Sequence, residues 1–363
     1  MAEASEADIG THPSNTLAEL AFIGKQSRGD LLEEDESQPT NADAALVIDP
    51  TEHRQPKQLP SYSSWFTTQH RGPANVARFS PDGALLATGS ADSTIKILDV
   101  QRIVTQHNEA SEEKKVVKTL YDHTDAINDI QFHPNGFCLA SASDDCNIKL
   151  FDLHKTHAKR AFRYLADAYP VKSISFHPSG DFLVSGTDHH APRIYDIHTM
   201  RCFIPSTEPE LHNAGILSVC CSSIGNIFAS ASNDGSIKLF DTVSSRCVNT
   251  ISKAHGGFPV TSVVFSKSSK YLLSTGLDSI GKLWDMSTGK VLVSYKGASQ
   301  KSIRANMAFT YNEDFVIGQD NSTSSISIWD SHTGLHLKNL SAHGKGILHV
   351  SSSLTDAGLI SCG

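Results

Sequence analysis

Residues 255–285, HGGFPVTSVVFSKSSKYLLSTGLDSIGKLWD, decide the fold of this chain. Runs rich in Val, Leu, Ile and aromatic residues alternate there with Gly, Ser, Lys and Asp, which are typical of turns. The pattern predicts three short β-strands and a fourth directly after them: Thr261–Ser266, Tyr271–Gly276, Ser279–Asp285 and Lys290–Tyr295. A single sheet of this size cannot bury both of its faces, so the fold depends on whether the pattern recurs.

The pattern recurs along most of the chain. Six segments end in an aromatic or aliphatic residue followed by aspartate, with successive spacings of 53, 44, 45, 44 and 45 residues: they end at Asp99, Asp152, Asp196, Asp241, Asp285 and Asp330. In four of them a second aspartate stands seven residues earlier, and a histidine stands 22 or 23 residues before that one. A period of about 40–45 residues with four strands and a His…Trp-Asp pattern is typical of β-propellers built from WD40 repeats.

The chain therefore resembles the WD40 family, and we predict an all-β, seven-bladed propeller over residues 61–363. The seventh repeat is incomplete: Ile347–Ser353 and Leu359–Gly363 are its predicted first and second strands, and no third strand follows. We interpret this as a last blade truncated at the C-terminus. WD40 propellers commonly take the outer strand of the last blade from the segment before the first repeat, and we assign Ser61–Thr68 that role.

The resemblance also implies a buried hydrogen-bonded tetrad in each blade: a histidine before the first strand, a hydroxyl in the second, an aspartate in the next turn and a tryptophan in the third. Polar groups buried between sheets must be paired in this way or they cost stability. One tetrad is complete: His255, Ser274, Asp278 and Trp284. Three lack the tryptophan: His70, Thr88 and Asp92; His123, Ser141 and Asp145; His212, Ser230 and Asp234. The repeat ending at Asp196 has no histidine at the expected place.

Serine, histidine and aspartate together also suggest a hydrolase triad. A set that recurs once per blade is better explained as scaffold, since function belongs to a particular site and not to every repeat. A nucleophile would also need an exposed hydroxyl and nearby oxyanion donors, and no G-x-S-x-G turn supplies them. We therefore predict that the protein is not an enzyme and that these residues are structural.

Residues 1–60 differ in composition from the rest of the chain. They hold 12 acidic and 4 basic residues, whereas the remainder is neutral with 27 of each. Their low content of aromatic residues and the run Glu33–Glu36 predict an acidic, mostly disordered tail. Within it Thr16–Gln26 predicts a short helix, either stable or transient, because Thr16 and Glu19 match a capping box. We also predict a surface loop at Gln101–Lys115, where the first spacing is about nine residues longer than the others.

Four cations fall within nine residues after Asp152: Lys155, Lys159, Arg160 and Arg163. One hypothesis is that they bind an acidic partner or an RNA backbone. The alternative is a solvated outer strand, since long charged side chains normally cover strand edges. The neutral propeller argues against bulk electrostatic binding of nucleic acid, which leaves a basic footprint.

Other features of the sequence limit the compartment and the chemistry. There is no apolar run of transmembrane length and no apolar segment after the initial methionine, so we predict neither membrane spanning nor secretion. Seven cysteines without a C-x-x-C motif fit reduced thiols in the nucleus or cytosol. His189 and His190 lack partners at metal-ligand spacing, and we predict no metal and no cofactor.

Several stretches resemble a more specific family, the WD-repeat subunits of cleavage stimulation factor. They are TGSADSTIKILD (88–99), KTLYDHTDAIND (118–129), AKRAFRYL (158–165), SISFHPSGDF (173–182) and FSKSSKYLLS (265–274). The resemblance covers roughly residues 66–363 and implies a non-catalytic nuclear subunit acting in cleavage and polyadenylation of pre-mRNA 3′ ends. It implies direct binding to a HAT-repeat scaffold subunit, and only indirect contact with pre-mRNA through a subunit that carries an RRM. The family's helical homodimerisation domain has no complete copy in residues 1–60, so the resemblance does not extend to self-association.

Two alternatives remain open. One is a substrate receptor or scaffold of another complex such as a cullin-type ubiquitin ligase, whose propellers often carry Arg two residues after Trp-Asp. None of the corresponding positions here is Arg: Gln101, His154, His198, Val243, Ser287 and His332. The other is an enzyme that uses the central channel, which would need convergent ionisable groups beyond the tetrads.

Overall fold

The structure is a computed structural model of the protein. It describes residues 18–25, 46, 57, 59, 62–105, 115–155, 157–205, 210–300, 302–341, 343–344 and 346–363. In these ranges the chain forms seven four-stranded sheets, and every strand pair in them is antiparallel. The protein is thus an all-β propeller.

Six of the sheets are each built from four consecutive strands, and we number them as blades 1 to 6 in chain order. Blade 1 has β3 (Ala74–Phe79), β4 (Leu85–Ser90), β5 (Thr94–Asp99) and β6 (Val116–Tyr121). Blade 2 has β7 (Ile127–Phe132), β8 (Cys138–Ser143), β9 (Asn147–Asp152) and β10 (Arg163–Ala166). Blade 3 has β11 (Val171–Phe176), β12 (Phe182–Thr187), β13 (Arg193–Asp196) and β14 (Cys202–Phe203).

The other three blades repeat this order. Blade 4 has β15 (Ile216–Cys221), β16 (Ile227–Ser232), β17 (Ile237–Asp241) and β18 (Cys247–Ile251). Blade 5 has β19 (Val260–Phe265), β20 (Tyr271–Gly276), β21 (Gly281–Asp285) and β22 (Val291–Tyr295). Blade 6 has β23 (Met307–Phe309), β24 (Phe315–Asp320), β25 (Ser325–Asp330) and β26 (His336–Ser341).

The seventh sheet, which we call the closing sheet, joins the two ends of the chain. Its strand order is β2-β1-β28-β27, with β1 at Ala18–Lys25, β2 at Tyr62–His70, β27 at His349–Ser352 and β28 at Leu359–Cys362. The residues assigned to an outer strand before the first repeat therefore form β2, at the end of this sheet.

Three predictions about the chain ends need correction. The predicted helix at Thr16–Gln26 is wrong, because β1 is a strand that pairs with β2 on one side and β28 on the other. The last sheet does not lack a third strand, because β1 occupies that place. The prediction of seven repeats within 61–363 is also wrong: those residues complete six blades, and the closing sheet needs β1 from outside them. The rest of the predicted disordered tail lies outside the described residues, apart from Leu46, Lys57 and Leu59.

Two of those isolated residues contact blade 6. The Leu46 side chain is buried among the apolar residues between blades 5 and 6, and its amide donates to Oε2 of Glu313 at 3.3 Å. Lys57 Nζ lies 2.5 Å from Oδ1 of Asp314. The acidic segment therefore includes residues that belong to the packed structure.

Hydrophobic side chains fill the space between neighbouring sheets. Ile95 and Ile97 of β5, for example, share one cluster with Ile127 and Ile130 of β7 in the next blade. All six residues of β20 are buried, because sheets cover this second strand on both faces. A strand covered on both faces is expected to be a nearly continuous apolar run. The sequence of β20, YLLSTG, is such a run, with small hydroxyl residues near its end.

The insertion after blade 1 is partly helical. Helix α1 spans Val100–Thr105 and buries Val100 and Ile103 against blade 1 and the closing sheet. The prediction of a loop from Gln101 is therefore wrong for this first part, and residues 106–114 lie outside the described ones.

The turns between the first and second strands interlock from blade to blade. His133 Nε2 lies 3.0 Å from the carbonyl oxygen of Gly180, and His177 Nε2 lies 2.8 Å from that of Gly225. Both glycines have positive φ, 83° and 84°. A Cβ built at Gly180 would stand 2.4 Å from the His133 ring, so the turn needs glycine for its backbone conformation and for space.

Candidate functional site

Blade 5 contains the complete tetrad as a connected chain of hydrogen bonds. His255 Nδ1 lies 2.8 Å from Oδ1 of Asp278, and its Nε2 lies 2.8 Å from Oγ of Ser274. The indole N–H of Trp284 donates to the same Ser274 Oγ at 2.8 Å. A carboxylate only accepts, so Nδ1–H donates to Asp278; when the ring is neutral, Nε2 carries no hydrogen and accepts from Ser274 O–H. The order of donation is therefore tryptophan to serine to histidine to aspartate.

Blade 2 has the same arrangement without the indole. His123 Nδ1 lies 2.7 Å from Oδ2 of Asp145, and its Nε2 lies 2.6 Å from Oγ of Ser141. Phe151 stands where blade 5 has tryptophan, with its ring centroid 6.5 Å from that of His123. Ser141 therefore has one buried partner in this set where Ser274 has two.

In blades 1 and 4 a second hydroxyl joins the set. His70 Nε2 contacts Oγ1 of Thr88 at 2.8 Å, and His212 Nε2 contacts Oγ of Ser230 at 2.6 Å. On the other side of each ring the aspartate is farther from the histidine than in blades 2 and 5. His70 Nδ1 lies 3.5 Å from Oδ2 of Asp92, and His212 Nδ1 lies 3.4 Å from Oδ2 of Asp234.

The added hydroxyl comes from the residue two places after the aspartate. Thr94 Oγ1 donates to Asp92 at 2.6 Å and lies 3.2 Å from His70 Nδ1. Ser236 Oγ donates to Asp234 at 2.6 Å and lies 2.9 Å from the ring of its histidine. Sequence reasoning missed Thr94 and Ser236, although a hydroxyl two residues after the aspartate was a visible signal.

Opposing effects set the pKa values of three aspartates, Asp92, Asp145 and Asp234. Burial raises the pKa of Asp145, but the hydrogen bond and charge of His123 outweigh burial and hold the pKa well below its usual range. The pKa values of Asp92 and Asp234 are lowered in the same way, against burial, by their histidine and hydroxyl donors. The His212 pKa is lowered because burial outweighs the bond to Asp234.

Blade 3 builds a different polar set in place of the tetrad. Tyr195 stands at the tryptophan position, and its hydroxyl donates to Oδ2 of Asp167 at 2.8 Å. Arg193 Nε lies 2.9 Å from the same carboxylate oxygen. Burial, followed by the nearby Asp167 charge, raises the pKa of Tyr195. A carboxylate before the first strand thus replaces the missing histidine.

The tetrad hydroxyls are closed off from solvent. Thr88, Ser141, Ser230 and Ser274 are all 0% exposed, and their oxygens are engaged with histidine or indole nitrogens. A nucleophile has to reach substrate, so this geometry serves packing and not acyl transfer.

The four predicted partner-binding cations lie together on blade 2. Lys155, Lys159 and Arg160 are exposed in the connection between β9 and β10, and Arg163 begins β10. Lys155 Nζ lies 3.7 Å from Oδ2 of Asp152, and Arg163 donates to the carbonyl oxygen of Ile197 in blade 3 at 2.7 Å. The structure brings the four to one outer edge of the propeller; their role in binding is untested.

The first strands of all seven sheets line one central cavity of about 670 Å³. Its polar side chains contact one another. Arg78 lies 3.1 Å from Oδ1 of Asp129, and Arg304 reaches from blade 6 to Oδ1 of Asn128 in blade 2 at 2.8 Å. The cavity is therefore held by contacts between blades that are distant in sequence.

Two kinds of feature are absent from the described part of the chain. No group of three or more His, Cys, Asp or Glu side chains there could hold a metal ion. In the same residues no helix is both long enough and apolar enough to cross a membrane. The seven cysteines, all described, are free thiols.

Sequence comparison identifies the repeat. The family model described as WD domain, G-beta repeat matches residues 63–99, 114–152, 163–196, 205–241 and 245–285, just over half of the chain. The chain belongs to the WD40 family. Each matched segment ends at one of the periodic aspartates from which the propeller was predicted. The matched repeat is offset from the blade: residues 114–152, for example, contain β6 of blade 1 and β7, β8 and β9 of blade 2.

Individual WD40 proteins differ in how similar they are to this chain. Cleavage stimulation factor subunit 50 of Arabidopsis thaliana is 40% identical over 278 residues, which cover 76% of this WD40 chain and 65% of the plant protein. The chain thus spans about 65% of the length of that relative. COMPASS component SWD3 of Saccharomyces cerevisiae is 26% identical over 283 residues, covering 73% of this chain and 84% of the yeast protein.

A solved structure supports the fold. The β-propeller domain of Cps50 (Swd1) from Myceliophteria thermophila superposes with a TM-score of 0.65 at 16% identity, covering 80% of this chain and 96% of that domain. At this identity the likeness concerns the fold alone. The resemblance to the cleavage stimulation factor family, in contrast, is carried by sequence.

Proposed function

We propose that this WD40 protein is a non-catalytic interaction subunit of a cleavage stimulation factor complex, acting in the cleavage and polyadenylation of pre-mRNA 3′ ends. The observation that carries the proposal is the 40% identity to the plant subunit 50 over 76% of the chain. That identity exceeds the 26% to the COMPASS component, although both alignments have similar length.

The chemistry of the described residues supports an interaction role. Each tetrad hydroxyl is buried and bonded, and in the cavity Arg78 contacts Asp129 and Arg304 contacts Asn128. Other molecules can contact the rim and the faces of the propeller, where loops and outer strands are exposed. Propellers commonly act as platforms of this kind, but the particular partner must follow from the particular surface.

The proposed partner in direct contact is the HAT-repeat scaffold subunit of the complex. The RRM subunit and the pre-mRNA are reached indirectly through that scaffold, and the site of action is the nucleus. A neutral propeller of 27 acidic and 27 basic residues supports a role in protein binding more than in tracking an RNA backbone.

An affinity experiment tests the assignment. The tagged full chain is incubated with nuclear extract of its own organism, and bound proteins are identified by mass spectrometry. We expect the HAT-repeat and RRM subunits of cleavage stimulation factor in stoichiometric yield. Recovery of a ubiquitin-ligase adaptor or of COMPASS subunits in their place would refute the proposal.

A functional assay tests whether the protein acts in pre-mRNA cleavage, which binding to the complex alone does not show. Extract depleted of the endogenous protein is assayed for cleavage of a synthetic pre-mRNA at its polyadenylation site. We expect cleavage to fall on depletion and to return when the purified full chain is added. The tag-matched Ser274→Ala variant, which we expect to unfold more easily, serves as a control for partial loss of the fold. Unchanged cleavage after complete depletion would contradict the proposed role.

A further inference from the structure

The outer edge of blade 2 has a composition unlike that of the other blades. We define the blade 2 edge patch as Tyr121, Lys159, Arg160, Phe162, Arg163 and Tyr164. All six are exposed, although the aromatic side chains belong to types that normally help to form a core. The patch combines aromatic and Arg residues, which are enriched where proteins bind one another.

The backbone of this patch is fixed while its side chains point outward. The connection between β9 and β10 lies against β6 of blade 1: Lys118 Nζ donates to the carbonyl oxygen of Lys155 at 2.7 Å, and the Ala161 amide donates to Oδ2 of Asp122 at 3.2 Å. The Phe162 amide then donates to the carbonyl oxygen of Leu150 at 2.9 Å. These contacts hold a long connection in one place, so the surface it presents is preorganised.

The aromatic part of the patch is large and exposed. Tyr164 is 67% exposed, Tyr121 57% and Phe162 51%. Tyr164 belongs to β10, where Leu165 alone of the four residues points into the blade. Exposed apolar residues occur singly on most surfaces, but three aromatic side chains on one connected segment and its neighbouring strand form a patch.

The charge of the patch is positive and largely uncompensated. Among the described residues no carboxylate forms an ion pair with Lys159, Arg160 or Arg163, and the one hydrogen bond described for the Arg163 guanidinium goes to the uncharged carbonyl oxygen of Ile197. The body of the protein is neutral, so this positive charge is local and does not belong to a wide basic face. Such a feature selects a short negative segment.

The edge of the sheet adds a backbone component. The strand β10 ends its sheet in the order β10-β9-β8-β7, so one side of its backbone has no strand partner within that sheet. An extended peptide can add to such an edge through main-chain hydrogen bonds, with side chains supplying specificity. Nucleic acid cannot use this ladder, and its phosphate backbone favours longer basic tracks than one short strand offers.

We propose that the blade 2 edge patch binds an extended acidic peptide segment of a partner protein, with carboxylates facing the three cations and apolar side chains packing on the three aromatic rings. The peptide lies along β10. This interaction is independent of the identity of the complex and goes beyond the function proposed above.

Fluorescence anisotropy with the full chain tests the proposal. The probe is a short fluorescein-labelled peptide with glutamates on both sides of a central Leu-Tyr pair, and the comparison peptide has glutamine at each glutamate. We expect the acidic peptide to bind at low salt, to weaken as salt is added, and to bind at least about tenfold more tightly than the glutamine peptide. Absence of binding by the acidic peptide would overturn the proposal.

Variants locate the binding to the patch. The double variant Lys159→Glu with Arg160→Glu should lose about tenfold or more in affinity, since neither side chain makes a contact in the described fold that the change would break. The matched control, Arg246→Glu with Lys338→Glu, changes the net charge equally at exposed positions of blades 4 and 6 and should bind as the wild type does. Equal loss in both variants would show a general charge effect and refute the site.

Two further outcomes concern the aromatic rings and the class of partner. Tyr164→Ala should weaken the acidic peptide while leaving the salt dependence of its binding unchanged; full retention of affinity would refute the proposed packing. A single-stranded oligouridine probe should bind more weakly than the peptide. Tighter binding of that RNA, lost in the Lys159→Glu, Arg160→Glu variant, would replace the proposed peptide with a nucleic acid.

Discussion

The complete tetrad of blade 5 predicts an unequal response to the same small substitution in two blades. Ser274→Ala removes an oxygen that accepts from Trp284 Nε1 and donates to His255 Nε2, each at 2.8 Å. Ser141→Ala in blade 2 removes an oxygen with only His123 as its partner in the tetrad. Both serines are fully buried, so the groups left behind cannot turn to water.

The expected magnitudes follow from the number of orphaned groups. A buried donor or acceptor left without a partner costs about 1–3 kcal/mol of the free energy of unfolding. Ser141→Ala orphans one ring nitrogen and should therefore cost about 1–3 kcal/mol. Ser274→Ala orphans a ring nitrogen and an indole N–H, so its cost should be larger by about 1–3 kcal/mol.

A double-mutant cycle isolates the indole contribution. Trp284→Phe gives blade 5 the aromatic residue that blades 2 and 4 carry as Phe151 and Phe240. The variant has no indole N–H, so Ser274→Ala then leaves only the histidine nitrogen without a partner. In that background Ser274→Ala should cost no more than Ser141→Ala does. The expected interaction free energy between Ser274→Ala and Trp284→Phe is about 1–3 kcal/mol.

The assay is equilibrium urea denaturation followed by far-UV circular dichroism, since tryptophan fluorescence would itself change in the Trp284 variant. Variants with unchanged m-values are compared by their midpoints. Equal costs for Ser274→Ala and Ser141→Ala, or an interaction free energy near zero, would refute the hydrogen bond from the Trp284 indole to Ser274.

Two more predictions follow from the turns and from burial. Gly180→Ala should destabilise the protein more than Gly136→Ala. Both glycines have positive φ, so each substitution has a backbone cost of about 1–2 kcal/mol. Only the new Cβ at Gly180 also meets a side chain, because it would stand 2.4 Å from the His133 ring. Equal melting temperatures for the two variants would contradict the interlocked turns. The lowered pKa of His212 means that the unfolded chain takes up a proton near pH 6.5 more readily than the folded one, so stability should fall as pH drops through that value. His212→Gln should flatten this dependence in a urea titration between pH 5 and 7, and an unchanged slope would show that another group is responsible.

The sequence was sufficient for the propeller class and for the histidine–hydroxyl pairs of blades 1, 2, 4 and 5, because both depend on a period. Each blade repeats the same neighbours, so a histidine, hydroxyl and aspartate at fixed spacing must meet when the strands fold back on one another. The strands of blade 5 were placed within about two residues of the observed bounds for this reason. The pattern also indicated that the repeat ending at Asp196 would differ, but not that Asp167 and Tyr195 would replace the tetrad.

The closing sheet could not be predicted from local sequence. The residues AELAFIGK of β1 have an apolar spacing that also fits a helix, and Thr16 before them matches a capping box with Glu19, so local preference alone favours a helix. In the fold they lie between β2 and β28, which offer hydrogen-bond partners on both edges. Tertiary pairing of this kind overrides weak helical propensity, and it involves segments more than 300 residues apart in sequence.

The same periodicity that makes the fold predictable limits what the repeats can do. A polar set that recurs in blades 1, 2, 4 and 5 and is closed to solvent cannot distinguish one partner from another. Specificity has to come from positions where one blade departs from the others on its exposed side. Blade 2 departs in this way: its connection to β10 is fixed to blade 1 through Ala161 and Asp122, and it exposes Phe162 and Tyr164 beside Lys159 and Arg160. Transfer of these aromatic side chains from water to an interface with a partner is favourable, because it removes apolar surface from water. We therefore expect a partner to bind at the blade 2 edge patch.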